Sequence, residues 1–81
     1  MKFELYSRVA LTKDFPDDGL KAGDIATVVD YHPGMDVRKD GYSLEVFNAL
    51  GETIAVIGVS ESDIEVLHSD EVFHKRQLQL A

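Results

Sequence analysis

The chain predicts an all-β protein, a small five-stranded barrel followed by a short C-terminal helix. Turn signals rich in Gly, Pro, Asn and Asp recur between short apolar runs, and those runs either alternate in polarity or are rich in β-branched residues. No window before residue 68 keeps a helical apolar stripe over ten residues without meeting a Gly or a turn cluster. With 81 residues the chain makes one domain with a small core, expected as a barrel over 1–67 and a helical tail over 68–81.

The first run, "FELYSRVAL", puts Phe3, Leu5, Val9 and Leu11 on one parity, as one strand or two collinear strands with a single buried face. "FPDDG" breaks it. "GLKAGDIATVVDY" then feeds a strand through a tight bend, with Gly19 and Gly23 allowing the turn and Asp24 tying it to the backbone. In "DIATVVDY" both parities carry apolar groups, so either both faces are covered or a bulge shifts the phase.

"HPGMDVRKDG", residues 32–41, is the longest loop and is expected to be the most mobile. "YSLEVFNA" resumes alternation with Tyr42, Leu44 and Val46 inward, which turns Phe47 outward. "NALGET" supplies a hairpin turn, and "TIAVIGV" a strand in which Gly58 marks a bulge or a close backbone approach. "SESD" is a single helical turn capped by Ser60, and "IEVL" a last strand with Ile64 and Val66 inward.

Five antiparallel strands in this order, with one helical turn before the last, have the layout of an SH3-like barrel, in which closure removes exposed edges. The residues that make this layout also carry a resemblance. "YSRVALTKDFPDDGLKAGDIATVVDYH" followed by "GYSLEVFNALGETIAVIGVSESDIEVL" resembles the DUF4926 family, small bacterial proteins with a domain of unknown function. It rests on the Leu20–Asp24 bend, Ala26–Val29, Tyr42–Phe47, and Gly51-Glu52-Thr53 before Ile54. The bend alone is shared with many SH3-like modules, KOW-type ribosomal domains among them. The resemblance implies an SH3-like fold, a bacterial source, no assigned catalytic residue, and a small partner protein encoded beside its target.

Net charge is −7, and residues 1–7 and 68–81 each balance, so the whole excess lies between Arg8 and Leu67. An acidic body favours a basic protein partner and opposes phosphate backbones, which need clustered Lys and Arg. No nucleic acid is therefore favoured, and a KOW-like nucleic-acid or ribosome-associated module stands as the alternative. No apolar run approaches the roughly 20 residues that span a bilayer, and no apolar segment follows Met1-Lys2-Phe3-Glu4. With zero cysteines, the chain is expected to be soluble, unprocessed and cytoplasmic.

Catalytic patterns are weak. Ser7, Ser43, Ser60, Ser62 and Ser69 lie in no nucleophile elbow, with His32, His68 and His74 as the available bases. Glu61, Asp63 and Glu65 are open to water, with no reason for a raised pKa. Asp30, His32 and Asp36 could meet round a divalent ion, but a solvated loop is the preferred reading. The chain is read as no enzyme, with no cofactor and no metal.

What remains is contact. Asp14, Asp17 and Asp18 sit beside Phe15 and Pro16 on the rim of the bend, and with Asp24, Asp36 and Asp40 they make an acidic face for a basic partner, encoded nearby and antitoxin-like or immunity-like. In the tail Ser69 caps a helix whose Val72, Phe73 and Leu80 form one narrow stripe, with Leu78 opposite. That stripe packs either over Phe47 of its own barrel or on a second copy, making a homodimer. Asp14, Asp17, Asp18, Asp36, Phe47 and Phe73 are therefore the partner-binding candidates.

Overall fold

The computed structural model describes residues 2–35 and 38–78. Five strands form: β1 (Arg8–Leu11), β2 (Ile25–His32), β3 (Gly41–Phe47), β4 (Thr53–Ser60) and β5 (Ile64–Val66). All pairings are antiparallel in one sheet, ordered β4-β3-β2-β1-β5. β4 and β5 are the two edges and do not pair, so the hydrogen-bonded sheet is open where closure was expected. Ile64 from one edge and Ile57 and Val59 from the other nonetheless belong to a single buried cluster, so the sheet curves around one core.

The inward residues follow strand parity. Tyr42, Leu44 and Val46 of β3 are buried and face Val59, Ile57 and Ala55 of β4 across the ladder. Tyr42 is fully buried, its ring edge-on to Phe3 at 5.4 Å between centroids. Its hydroxyl oxygen accepts from the Lys2 and Phe3 amides at 2.9 and 3.1 Å, which pins the start of the chain to the core.

Both parities of "DIATVVDY" are apolar because a bulge changes the phase: the β2–β3 register shifts between Val28 and Asp30, leaving Val29 unpaired. The other uneven register lies between Val46 and Phe47. Gly58 pairs regularly with Ser43, and a Cβ there would meet nothing within 4 Å, so it is neither the bulge nor the close approach that the sequence led us to expect.

Two more expectations are corrected. The first strand begins only at Arg8, because Tyr6 takes φ 66° and Ser7 N–H bonds back to the Glu4 carbonyl at 3.2 Å. This turn breaks the alternation, so Phe3 is buried while Leu5 is 41% exposed. In β5 Ile64 is buried but Val66 is 51% exposed, since this three-residue edge strand runs past the end of the core.

Local turns follow the sequence closely. Asn48 Oδ1 accepts from the Leu50 and Glu52 amides, and Gly51 takes φ 85°, closing the β3–β4 hairpin. Ser60 and Asp63 form a reciprocal capping box around the single 3₁₀ turn Glu61–Asp63 that leads into β5.

The expected tail helix does not form in the described residues. Ser69 and Asp70 make a turn, closed by Glu71 N–H on the His68 carbonyl and by Glu71 Oε1 accepting from His68 N–H, and 71–78 run irregularly. An isolated helix this short is marginal, and its apolar stripe was too narrow to supply the packing it lacked. Leu80 lies outside the described residues.

Candidate functional site

The bend before β2 is built by two left-handed glycines, Gly19 at φ 71° and Gly23 at φ 92°. Gly23 N–H donates to the Leu11 carbonyl at 2.7 Å and Leu11 N–H to the Asp24 carbonyl at 2.9 Å, which lashes the bend to the end of β1. Two carboxylates stiffen it from within. Asp24 Oδ2 accepts from Lys21 N–H at 2.8 Å, and Asp14 Oδ1 from Ala22 N–H at 2.9 Å.

Asp24 also meets the tail. Arg76 Nε donates to Asp24 Oδ1 at 3.1 Å, and Nη2 donates to Asp24 Oδ2 and, at 3.1 Å, to the Gly19 carbonyl. A planar guanidinium matches a carboxylate fork with two parallel bonds, which a lysine ammonium does not reproduce. The hydrogen bond to Asp24 raises the Arg76 pKa above its already high ordinary value, with further help from the charges of Asp24 and Asp14, so the group stays cationic. The side chains are only 27% and 21% exposed, so the pair is partly shielded from water.

A groove opens beside this corner. Its sheet side comes from Ile25 and Thr27 of β2, Phe47 of β3 and Ile54 of β4, and its other side from Val72, Phe73 and Leu78 of the tail. Phe47 is 41% exposed on the outward parity, as its position against Tyr42, Leu44 and Val46 required. The Arg8 guanidinium carbon stands 5.7 Å from the centre of the Phe73 ring, within cation–π range.

Of the sequence candidates, Phe47 and Phe73 line this groove, and Asp14 lies off its lining but holds the Ala22 amide of the bend. Asp17 and Asp18 lie in the one-turn 3₁₀ helix Pro16–Asp18, off the groove lining. Asp36 lies outside the described residues. Asp40 precedes β3 and so stands at the opposite end of the β2–β3 ladder from Asp24. Asp24 and Asp40 are therefore not neighbours in one acidic patch.

Asp40 serves as a loop bolt. Its Oδ1 accepts from Gly34 N–H at 2.9 Å and its Oδ2 from the Tyr31 hydroxyl at 2.7 Å. The Gly34 amide and then the Tyr31 hydroxyl hold the Asp40 carboxyl below its usual range. The same hydroxyl bond, then burial and the Asp40 charge, push the Tyr31 phenol up to about 12.

These shifts set two pH flanks. The depressed Asp40 contributes fully above the ordinary carboxylate pKa and loses its contribution as pH falls through its folded value. The raised Tyr31 contributes fully below the ordinary phenol value of about 10. Its contribution is lost as pH climbs towards about 12. Asp40→Asn is expected to flatten both flanks in urea midpoints measured near pH 3, 7 and 11; flanks unchanged by the substitution would contradict the pairing.

His32, Ser43, Asp30 and Asp63, among the candidates for chemistry, are engaged in folding contacts. His32 Nε2 and Ser43 Oγ lie 2.8 Å apart across β2 and β3, while Asp30 Oδ1 accepts from Tyr31 N–H. Asp63 serves the capping box and stands 3.6 Å from Lys13 Nζ. Among the described residues no three His, Asp or Glu side chains converge as metal ligands, and no helix is long and apolar enough to cross a membrane.

Arg76 and the Gly19 carbonyl are the groups at this corner that the sequence reading did not single out. Arg76 reads locally as a helix-ending charge, and nothing local marks its pairing with a carboxylate 52 residues away.

The strand order and the bend define an all-β chain with one curved sheet and a corner that holds a guanidinium. The chain belongs to the family described as a domain of unknown function (DUF4926), whose model matches residues 5–66. No curated protein and no solved structure matches it. The match ends where β5 ends, so the tail that carries Phe73 and Arg76 lies outside the matched residues.

Proposed function

We propose that the protein is a non-catalytic protein-interaction module that holds an arginine of an extended partner segment at the Asp24 corner. The observation that carries this reading is the seating of Arg76: a carboxylate fork and the Gly19 carbonyl accept from one guanidinium on a bend stiffened from within. Once Arg76 leaves, the bend itself is already shaped to take an arginine, and preorganisation is what keeps a small contact specific. The apolar groove alongside, from Ile25 to Phe47 and Ile54, takes the neighbouring side chains of the segment.

The net charge of −7 supports a basic partner and fast, salt-sensitive association. Small size and this charge also support an antitoxin-like or immunity-like pairing with a basic protein. The acidic surface of this reading is narrower than the face first drawn, and consists of Asp14 and Asp24.

The test is an NMR titration of the Arg76→Ala protein, whose corner is vacant, with N-acetyl-arginine amide. Saturable shifts clustered at the amides of Gly19, Lys21, Asp24 and Ile25 are expected. Shifts that are absent, or spread over all the exposed carboxylates, overturn the reading.

A further inference from the structure

The tail reaches the corner as an irregular chain with few holds on the sheet. Val72 is 90% exposed and Phe73 67%, so burial of apolar surface does little to fasten them. Among the described residues the polar holds of the tail on the sheet and bend are the Arg76 guanidinium on Asp24 and the Gly19 carbonyl, and the Phe73 ring near Arg8 of β1, with Leu78 lining the groove. These two contact points are three residues apart on the tail, and both of their counterparts belong to the rigid sheet and its bend. The space between tail and sheet stays open as the groove.

Charge points the same way. Residues 68–78 balance Asp70 and Glu71 against Lys75 and Arg76, whereas residues 8–67 carry the entire −7. A tail of zero net charge gains only the local Arg76–Asp24 pair from the acidic body; a net-basic segment with the same two contact points also gains from its overall field.

We propose that the tail is a tethered competitor, occupying the seat of a partner segment that is extended, net basic, and carries an aromatic residue three positions before an arginine. This rests on the reading of the Asp24 corner as an arginine seat and adds its regulation. Tethering keeps the tail at high local concentration, so that weak partners are excluded, while the few holds let a strong one displace it. Displacement frees Phe47 and Ile54 to pack against apolar side chains of the incoming segment.

The probe is a synthetic peptide of residues 69–78 with Asp70 and Glu71 replaced by Asn and Gln, which makes it net basic. Its binding is measured by titration calorimetry to the wild-type chain, to Arg76→Ala, and to Arg76→Ala combined with Asp24→Asn. Binding to Arg76→Ala that is about tenfold or more tighter than to wild type is expected, since an unoccupied seat removes the population cost. The double variant is expected not to bind. Equal affinity for wild type and Arg76→Ala overturns the competitor and leaves the arginine seat standing. Failure to bind Arg76→Ala, or undiminished binding to the double variant, overturns the seat itself and the competitor with it.

Discussion

Replacing Tyr42 with alanine is expected to destabilise the protein by about 3–5 kcal/mol, the range for truncating a large buried aromatic. Tyr42 is fully buried at the centre of β3, and it carries two duties at once. Its ring packs edge-on against Phe3 and tilted against Tyr31, at centroid distances of 5.4 and 5.3 Å. Its hydroxyl oxygen satisfies the amides of Lys2 and Phe3. Alanine leaves a cavity and orphans both amides together.

Tyr42→Phe separates these duties. It keeps the ring and removes the acceptor, with an expected loss of about 1–2 kcal/mol and early fraying of the first residues. Both are read from urea unfolding, and the alanine variant should also lose on the order of 15 °C in Tm, a large part of the margin of so small a domain. A Tyr42→Ala protein within about 1 kcal/mol of wild type would contradict the placement of the core.

Gly34→Ala is expected to cost about 1–3 kcal/mol through overpacking rather than backbone twist. A Cβ at Gly34 would lie 2.7 Å from the Lys39 carbonyl carbon and closer still to the Arg38 carbonyl oxygen. Both contacts are with backbone, which cannot swing away as a flexible side chain would. The Gly34 amide is also the first holder of Asp40, so moving it releases the Tyr31 hydroxyl from its partner. The expected readouts are a lowered urea midpoint and a Tyr31 phenol that titrates closer to its ordinary value. Gly58→Ala is the control, since its Cβ enters open space. Equal losses at the two glycines would contradict the account.

Much of the fold was legible because its determinants are local. The parity of Tyr42, Leu44 and Val46 placed them inward and Phe47 outward, and the structure agrees. Gly19, Gly23 and Asp24 marked the bend, "NALGET" the hairpin, and Ser60 the capped turn, to which the structure adds the return bond of Asp63. Where two local outcomes shared one pattern, the sequence could not choose. The two apolar parities of β2 fit either a covered sheet or a bulge, and only pairing with β3 selects the bulge at Val29.

The misses came from long-range partners and local breaks. Alternation from Phe3 to Leu11 looked continuous because nothing about Tyr6 advertises a positive φ. The tail carried the charge pattern of a helix, acids first and bases last, yet Arg76 is drawn off to Asp24. The acidic face was drawn by counting carboxylates along the chain, whereas Asp24 and Asp40 stand at opposite ends of one ladder and are hydrogen-bonded to different elements. A carboxylate's role is set by what it already holds, and that is a property of the folded chain.

The most direct measurement of the central claim is the affinity of N-acetyl-arginine amide for the Arg76→Ala protein, compared with the same variant carrying Asp24→Asn and with N-acetyl-lysine amide as ligand. The account predicts weak but saturable arginine binding focused on Gly19 to Ile25, lost with Asp24→Asn and much weaker for lysine, because the fork needs a planar guanidinium. Arginine binding that survives Asp24→Asn, or lysine binding of equal strength, would contradict it.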